Sequence, residues 1–170
     1  MAAPGPLGWR YFGRANELDT DREAFRVDHV VDREWNLVRF RWNSSDGSEL
    51  MAIPSGDGVE VRITAPTGER TEFVSDVRLV WSASPSSLLV LDRLLGTSSS
   101  EGTPAVRLEP SSDARPIVVR VTPVGTRQVA TPTGTALVRE VDIGLDGRRM
   151  GALLRSDLPL RADGWFELVE

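Results

Sequence analysis

Two neighbouring segments, residues 24–31 and 35–42, alternate between apolar and polar side chains, and this pattern limits the fold more than any other feature of the chain. Alternation with a period of two is typical of antiparallel strands that bury one face. The short connection Asp32-Arg33-Glu34 lets the two strands pair, and Leu37 is predicted on their polar face. The residues predicted on the apolar face are Phe25, Val27, His29, Val31, Val38, Phe40 and Trp42.

The alternation recurs along the chain, with turn signals between the segments. Asp46-Gly47 and Asp146-Gly147 are dipeptides that favour hairpin turns. Strands with one apolar face need a partner sheet or a closed barrel to cover it. We therefore predict a mainly β fold, a single antiparallel β-barrel or strongly curved sheet of roughly nine to eleven strands with an apolar interior.

Residues 71–81 are predicted to form one long, bent strand. Its alternation changes phase at Ser75-Asp76. A change of phase predicts a bulge, which bends a strand and helps to close a barrel. The residues of this segment predicted to face inward are Phe73, Val77, Leu79 and Trp81.

One short helix is predicted over residues 85–95. Ser84 can cap it, and Pro85 suits the first helical position. The segment is apolar nearly all round, which is typical of a buried helix. We expect it to lie across one opening of the barrel as a cap.

Composition limits the chemistry of the chain. No shift in composition divides its 170 residues, so we predict one domain over residues 1–170, with residues 1–8 as a flexible lead-in. The absence of cysteine excludes disulfides and thiolate zinc sites, and a single histidine excludes a histidine-rich metal site. We expect no cofactor and no metal. All 20 basic residues are arginine, which favours a GC-rich bacterial genome.

Charge and hydropathy exclude other classes. The net charge is −5 and no dense arginine cluster is present, so we expect no nucleic-acid partner. The longest apolar run is too short for a membrane span. The first residues lack the pattern of a signal peptide, and we expect an intracellular, cytoplasmic protein.

His29 is the first candidate for chemistry. It is predicted on an apolar face, and the ordinary pKa of histidine lies near pH 7, so its imidazole could act as an acid and a base. The alternative is a neutral histidine whose ring is satisfied by a backbone carbonyl. Tyr11 is a second candidate donor. The segment around it, Trp9 to Phe12, is either a plug of the barrel or an aromatic wall of a cavity.

Arg139 is the third candidate, because its predicted strand face also carries Leu137, Val141 and Ile143. An arginine on an apolar face keeps its charge and is costly without a partner. It therefore either forms a structural ion pair with a buried carboxylate or waits for a polar group of a ligand. In the second case its guanidinium would stabilise negative charge that develops on an oxygen.

Large inward side chains would form either a filled core or the wall of a pocket. The width of a barrel decides between the two, and width depends on strand number and shear. The residues that we predict to line such a pocket are Phe25, Phe40, Trp42, Trp81 and Val119.

Three short motifs resemble those of bacterial putative glycolipid-binding domains and related lipocalin-like curved-sheet domains. Asp32-Arg33-Glu34-Trp35 is similar to a D-x-x-W motif, and residues 131–135 are similar to a T-P-x-G-T turn. Residues 85–94 are similar to P-x-x-N-x-L-P-x-R-L, although the Asn and the second Pro are missing. The resemblance covers about a fifth of the chain. It implies a half- or full barrel that holds an amphipathic, lipid-like molecule, and it carries no catalytic residues.

Three functions follow as hypotheses. In the first, the barrel interior binds an apolar or amphipathic small molecule, such as a lipid or glycolipid, without catalysis. In the second, the same cavity is a cofactor-independent cyclase that folds a polyketide-type chain for cycloaddition or a related ring closure, with His29, Arg139 or Tyr11 as donor. In the third, a filled core serves a structural or interaction role. A homodimer is one expected assembly.

Overall fold

The computed structural model confirms a mainly β protein with one short helix. For residues 2–5, 94–95, 131, 158–162 and 166–167 the backbone alone is described. The structure describes residues 2–5, 8–17, 19–20, 22–77, 79–82, 84–95, 102–108, 114–131, 134–155, 158–162 and 166–167.

Fourteen strands lie in these described ranges, more than the nine to eleven predicted. The first eight are β1 (Ala2–Gly5), β2 (Gly8–Asn16), β3 (Glu23–Asp32), β4 (Leu37–Ser44), β5 (Glu49–Ser55), β6 (Gly58–Ala65), β7 (Gly68–Ser75) and β8 (Leu79–Ser82). Helix α1 (Pro85–Leu95) follows. The others are β9 (Thr103–Leu108), β10 (Arg115–Thr131), β11 (Gly134–Leu145), β12 (Arg148–Arg155), β13 (Leu158–Ala162) and β14 (Phe166–Glu167).

The strands form two sheets of seven, and the first contains β1 to β7 in sequence order. Each of its strands is antiparallel to the next, so the sheet is a meander built from hairpins. Its strand order does not close on itself over the described residues. The prediction of a single antiparallel sheet is therefore wrong, because the described strands form two sheets and β8 pairs with β9 in parallel, and a closed barrel stays a prediction.

The chain divides into two compact units. The first comprises Met1–Ser87 and Pro104–Pro116, and the second comprises Leu88–Thr103 and Ile117–Glu170. Neither unit is a single stretch of sequence, and one domain over residues 1–170 stays a prediction. In the first unit β8 pairs in parallel with β9. In the second, β10 to β14 pair in sequence order and are antiparallel.

The core of the first unit lies on the inner face of the first sheet. β8 and β9 contribute to it, through Val80, Val106 and Leu108. The other members, from β3 to β7 and the residues just after β7, are Val27, Leu37, Phe40, Trp42, Leu50, Ala52, Val59, Val61, Ile63, Val74 and Val77.

The predicted orientations of the first two side chains of β4 were wrong. Leu37 is buried, whereas Val38 is 44% exposed. The pairing shifts here, because Val30 lies opposite Arg39 and Val31 opposite Leu37. Val38 is therefore the extra residue of a bulge, and an extra residue reverses the side on which its neighbours point.

Residues 71–81 do not form one strand. β7 ends at Ser75 in the first sheet, and β8 begins at Leu79 in the second. Asp76 has a φ of 58°, a left-handed conformation that interrupts an extended chain. Val77, Leu79 and Trp81 are buried as predicted, but Phe73 is 55% exposed, so its inward orientation was wrong.

Helix α1 confirms the predicted range of residues 85–95. The hydroxyl of Ser84 accepts a hydrogen bond from the backbone N–H of Ser86, and the carbonyl of Ser84 accepts one from the N–H of Ser87. Residues 86–92 are all buried, as expected for a helix that is apolar nearly all round. Its place across a barrel opening stays a prediction.

Both predicted Asp-Gly hairpin turns are present. Asp146 and Gly147 have φ values of 47° and 79°, which suit a two-residue turn between strands of right-handed twist. Gly47 has a φ of 86° in the β4–β5 turn. Residues 2–5, which were predicted to belong to a flexible lead-in, form β1 and pair with β2.

Candidate functional site

A cleft of about 480 Å³ lies at one end of the first sheet. It is lined by the start of β4, the β5–β6 hairpin and the two residues that follow β7, all in the first unit. Its volume is within the range of small-molecule sites, about 300–1,000 Å³. The lining residues are Asn36, Leu37, Pro54, Gly56, Asp57, Gly58, Val59, Asp76 and Val77.

The cleft has an apolar floor and a polar rim. Leu37, Val59 and Val77 belong to the buried core, so their side chains form a fixed apolar surface. Asp57 and Asp76 are exposed. The N–H of Asp76 donates to the carbonyl of Asp57 at 3.1 Å, which holds these two segments of the rim together.

The turn between β3 and β4 fixes the third polar residue of the rim. A carboxylate oxygen of Asp32 accepts the backbone N–H groups of Glu34 and Asn36, each at 2.9 Å. The side-chain amide of Asn36 also donates to Asp32, at 3.0 Å. These bonds hold a turn in which Trp35 has a φ of 68°, unusual for so large a side chain.

His29 lies in the core, as predicted. It is 1% exposed, and its Nδ1 is 3.2 Å from the hydroxyl of Ser86. The hydroxyl of Ser86 in turn lies 2.9 Å from that of Ser84. His29 is therefore hydrogen-bonded within the core, but its Nδ1 bonds to a serine hydroxyl of α1 and not to the backbone carbonyl that was predicted.

Burial lowers the pKa of His29 to about 4, although the negative charge of Asp28 acts in the opposite direction. The imidazole is therefore neutral at pH 7. Its ring is nearly perpendicular to that of Phe40, with 5.3 Å between the ring centroids. A neutral, hydrogen-bonded imidazole can position Ser86, but it is a weak base at neutral pH.

Tyr11 and His29 are neighbours on the inner face of the first sheet. Tyr11 lies opposite His29, and His29 lies opposite Phe40, so three of the predicted site residues form one row across β2, β3 and β4. Tyr11 is 7% exposed, and its ring lies 6.5 Å from that of Trp35. Trp35 also stacks on Trp9, with 5.6 Å between centroids.

Phe25 and Trp42 form a second aromatic contact in this unit, with their ring centroids 4.4 Å apart. Trp42 belongs to the core, and its indole N–H is buried without a hydrogen-bond partner. Trp81 is buried too, at 7% exposure. These predicted wall residues lie within packed parts of the first unit, and they do not line the cleft.

Arg139 lies in the second unit, on β11. Its guanidinium forms an ion pair with Asp92 of α1, whose side chain is 5% exposed. This arrangement is the structural ion pair that the sequence left as one of two alternatives. Val141 and Ile143 are buried as predicted, whereas Leu137 is 66% exposed because the outer part of the β10–β11 hairpin is mostly exposed. Val119 is fully buried on β10.

Sequence reasoning missed a charged cluster on the outer face of the first sheet. Asp28 accepts hydrogen bonds from Arg10 at 2.7 Å and from Arg39 at 2.6 Å. Burial acts to raise the pKa of Asp28, but the hydrogen bonds and charges of the two arginines outweigh it and lower that pKa. The cluster is built from three neighbouring strands, which carry Arg10, Asp28 and Arg39. Only the pairing register of β2, β3 and β4 could have predicted it.

It also missed the cleft and, apart from the cap Ser84, the hydrogen-bonded serines around α1. The serines had a local signal, because Ser82, Ser84, Ser86 and Ser87 crowd one helix start. The cleft had none, because its rim comes from three distant connections. Among the described residues, no group of three or more His, Asp or Glu side chains could hold a metal ion.

The fold and the cleft define only a broad class of protein. It is a mainly β protein with two sheets and a polar-rimmed cleft at the end of one of them. No family model, curated protein or solved structure matches the chain. The resemblance to glycolipid-binding domains therefore stays a prediction. Within the described ranges, no helix has both the length and the apolar character needed to cross a membrane.

Proposed function

We propose that the protein binds an amphipathic small molecule in the cleft of the first unit. The observation that carries this proposal is the combination of volume and lining, about 480 Å³ with a floor of core residues and a rim of polar ones. Sites for small molecules combine apolar surface with a few placed polar groups, and more of the exposed lining of this cleft is polar than apolar. The apolar part of the ligand lies on the exposed ring of Pro54 and on the small accessible parts of Leu37, Val59 and Val77.

A binding role is better supported than a cyclase. The three proposed donors have partners or neighbours of their own: His29 bonds to Ser86, Arg139 pairs with Asp92, and Tyr11 is buried beside Trp35. Donation to a substrate would require these contacts to break. The proposal keeps the prediction that the first sheet is strongly curved or closes into a barrel. Curvature of this kind would enclose the core that lies on the inner face of the sheet.

The test is a calorimetric titration with 1-octanol, a neutral amphiphile, against the wild type and two tryptophan variants. Pro54→Trp places an indole at the rim, and because Pro54 lies on a strand, tryptophan suits the backbone there. Thr71→Trp is the matched control on an exposed strand position that does not line the cleft.

We expect saturable binding of one octanol per chain, weakened about ten-fold or more in Pro54→Trp and unchanged in Thr71→Trp. Circular dichroism confirms that both variants are folded. A wild type that binds no octyl amphiphile, whatever its head group, or a Pro54→Trp protein that binds octanol as tightly as the wild type does, contradicts the proposal.

A further inference from the structure

The carboxylates on the rim of the cleft are acceptors without partners among the described residues. Asp57 and Asp76 both border the cleft and are exposed. Their backbones are joined by the bond from the N–H of Asp76 to the carbonyl of Asp57. An ionised carboxylate only accepts hydrogen bonds, so each side chain presents acceptor oxygens and negative charge to the cleft.

Asn36 adds a third acceptor. Its amide nitrogen lies 3.0 Å and 3.4 Å from the two carboxylate oxygens of Asp32. Because a carboxylate has no proton to donate, the NH₂ group of Asn36, and not its carbonyl oxygen, must face Asp32. The amide therefore donates toward Asp32 inside the β3–β4 turn, and its carbonyl oxygen faces away from Asp32, where it can accept a hydrogen bond from a ligand.

The described lining residues supply no matching donor from a side chain. Besides Asn36, Asp57 and Asp76, they are glycine, proline, leucine and valine, so none of them carries a positive charge. The polar rim thus carries a net negative charge and no cationic side chain among the described lining residues, beside an apolar floor. An anionic ligand would be repelled, and a ligand with donors and a positive charge would be attracted.

We infer that the ligand of the cleft is an amphipathic primary amine, bound as its ammonium ion. This inference rests on the proposed function, because it concerns the same cleft. An ammonium group carries three N–H donors and one positive charge, which match the acceptors of Asn36, Asp57 and Asp76. Its alkyl chain covers the apolar floor that these residues surround.

The experiment compares three molecules that share one alkyl chain and differ in charge: octylamine, 1-octanol and octanoate. Each is titrated into the wild-type protein by calorimetry at pH 7 and low salt. We expect octylamine to bind most tightly and octanoate most weakly. The preference for octylamine should shrink as the salt concentration rises, because salt screens exposed charges.

Variants locate the charge preference on the rim. Asp76→Asn suits the backbone, since asparagine tolerates the left-handed conformation that Asp76 adopts. We expect Asp57→Asn and Asp76→Asn to weaken octylamine about two- to five-fold each and to leave octanol unchanged. Glu69→Gln, an exposed residue outside the cleft, removes the same charge and should leave octylamine unchanged.

The outcomes separate this inference from the proposed function. Equal affinities for the three molecules, or tighter binding of octanoate, overturn the amine and leave the cleft as a binding site. Charge preference that is lost equally in Glu69→Gln and in Asp57→Asn also overturns it, because the effect would then come from net charge. If none of the three molecules binds, the proposed function fails and the amine fails with it.

Discussion

Helix α1 has a buried polar contact near each end, and the two contacts differ in charge. In its first turn, Ser86 bonds to the neutral imidazole of His29, which is 1% exposed. In its later part, Asp92 pairs with the charged guanidinium of Arg139, and the Asp92 side chain is 5% exposed. His29 and Asp92 are thus similarly buried, although the Arg139 side chain is 33% exposed, and the chemistry of the two contacts differs.

The difference shows what each contact depends on. A histidine can lose its charge, so burial shifts its pKa and leaves a neutral group that one hydrogen bond can satisfy. An arginine cannot, and the buried carboxylate of Asp92 needs its partner. The His29 contact should therefore respond to pH, and the Asp92 contact should respond to removal of its partner.

The largest effect is expected from Arg139→Leu. This change leaves the carboxylate of Asp92 buried without its partner, which costs about 3–5 kcal/mol of unfolding free energy. Urea unfolding followed by circular dichroism measures the loss. The double variant Arg139→Leu/Asp92→Leu should recover most of it, because no buried charge remains. A loss below about 1 kcal/mol in the single variant would show that the carboxylate of Asp92 does not depend on Arg139.

Acid should weaken the His29 contact. Its pKa is about 4 in the folded protein and near 6.5 when unfolded, so the unfolded chain binds more protons between these values. The contribution of His29 is therefore fully present above pH 6.5 and falls by about 3 kcal/mol in total as the pH drops through 4. Urea unfolding from pH 7 to pH 4 measures this loss. His29→Gln should show a shallower pH dependence, and equal slopes would contradict the assignment.

The hydrogen bond of His29 should have a smaller effect on its own. Ser86→Ala removes the hydroxyl that bonds to the imidazole, and we expect a loss of about 1–2 kcal/mol at pH 7. Thermal unfolding measures it. Ser45→Ala, at an exposed turn position, is the control and should change nothing. If both variants behave alike, Ser86 does not stabilise the neutral histidine.

The smallest effect is expected from an exposed ion pair. Arg41 and Glu49 lie 2.7 Å apart, but their side chains are 47% and 32% exposed. Arg41→Ala should cost about 0.5 kcal/mol or less, because solvent screens the pair. Urea unfolding at two salt concentrations checks it. A loss as large as that of Arg139→Leu would show that burial is not what separates the two pairs.

Local signals predicted the local structure. The range of α1 followed from Ser84 and Pro85, and the hairpins at Gly47 and Gly147 followed from Asp-Gly dipeptides, because caps and tight turns depend on a few adjacent residues. The inward side of His29 also followed from alternation. These predictions needed no knowledge of which strands pair.

Long-range pairing set the limits of prediction. The bulge at Val38 is visible only in the register between β3 and β4, and the change of sheet after Ser75 depends on which strand becomes the neighbour of β8. The ion pair of Arg139 was one of two alternatives, because its partner lies 47 residues away in the chain. The cleft is lined by Asn36, Asp57 and Asp76 from three separate connections, so no pattern of adjacent residues predicts it.

The strand order also has a consequence for how the chain reaches this structure. In the first sheet every strand pairs with the one before it, so each pairing closes only a short loop, and loop-closure entropy is small. The parallel pair of β8 and β9 can form only after the chain has passed through α1. Since rates of folding fall as contacts become less local, the hairpins of the meander should form early and the β8–β9 pair late.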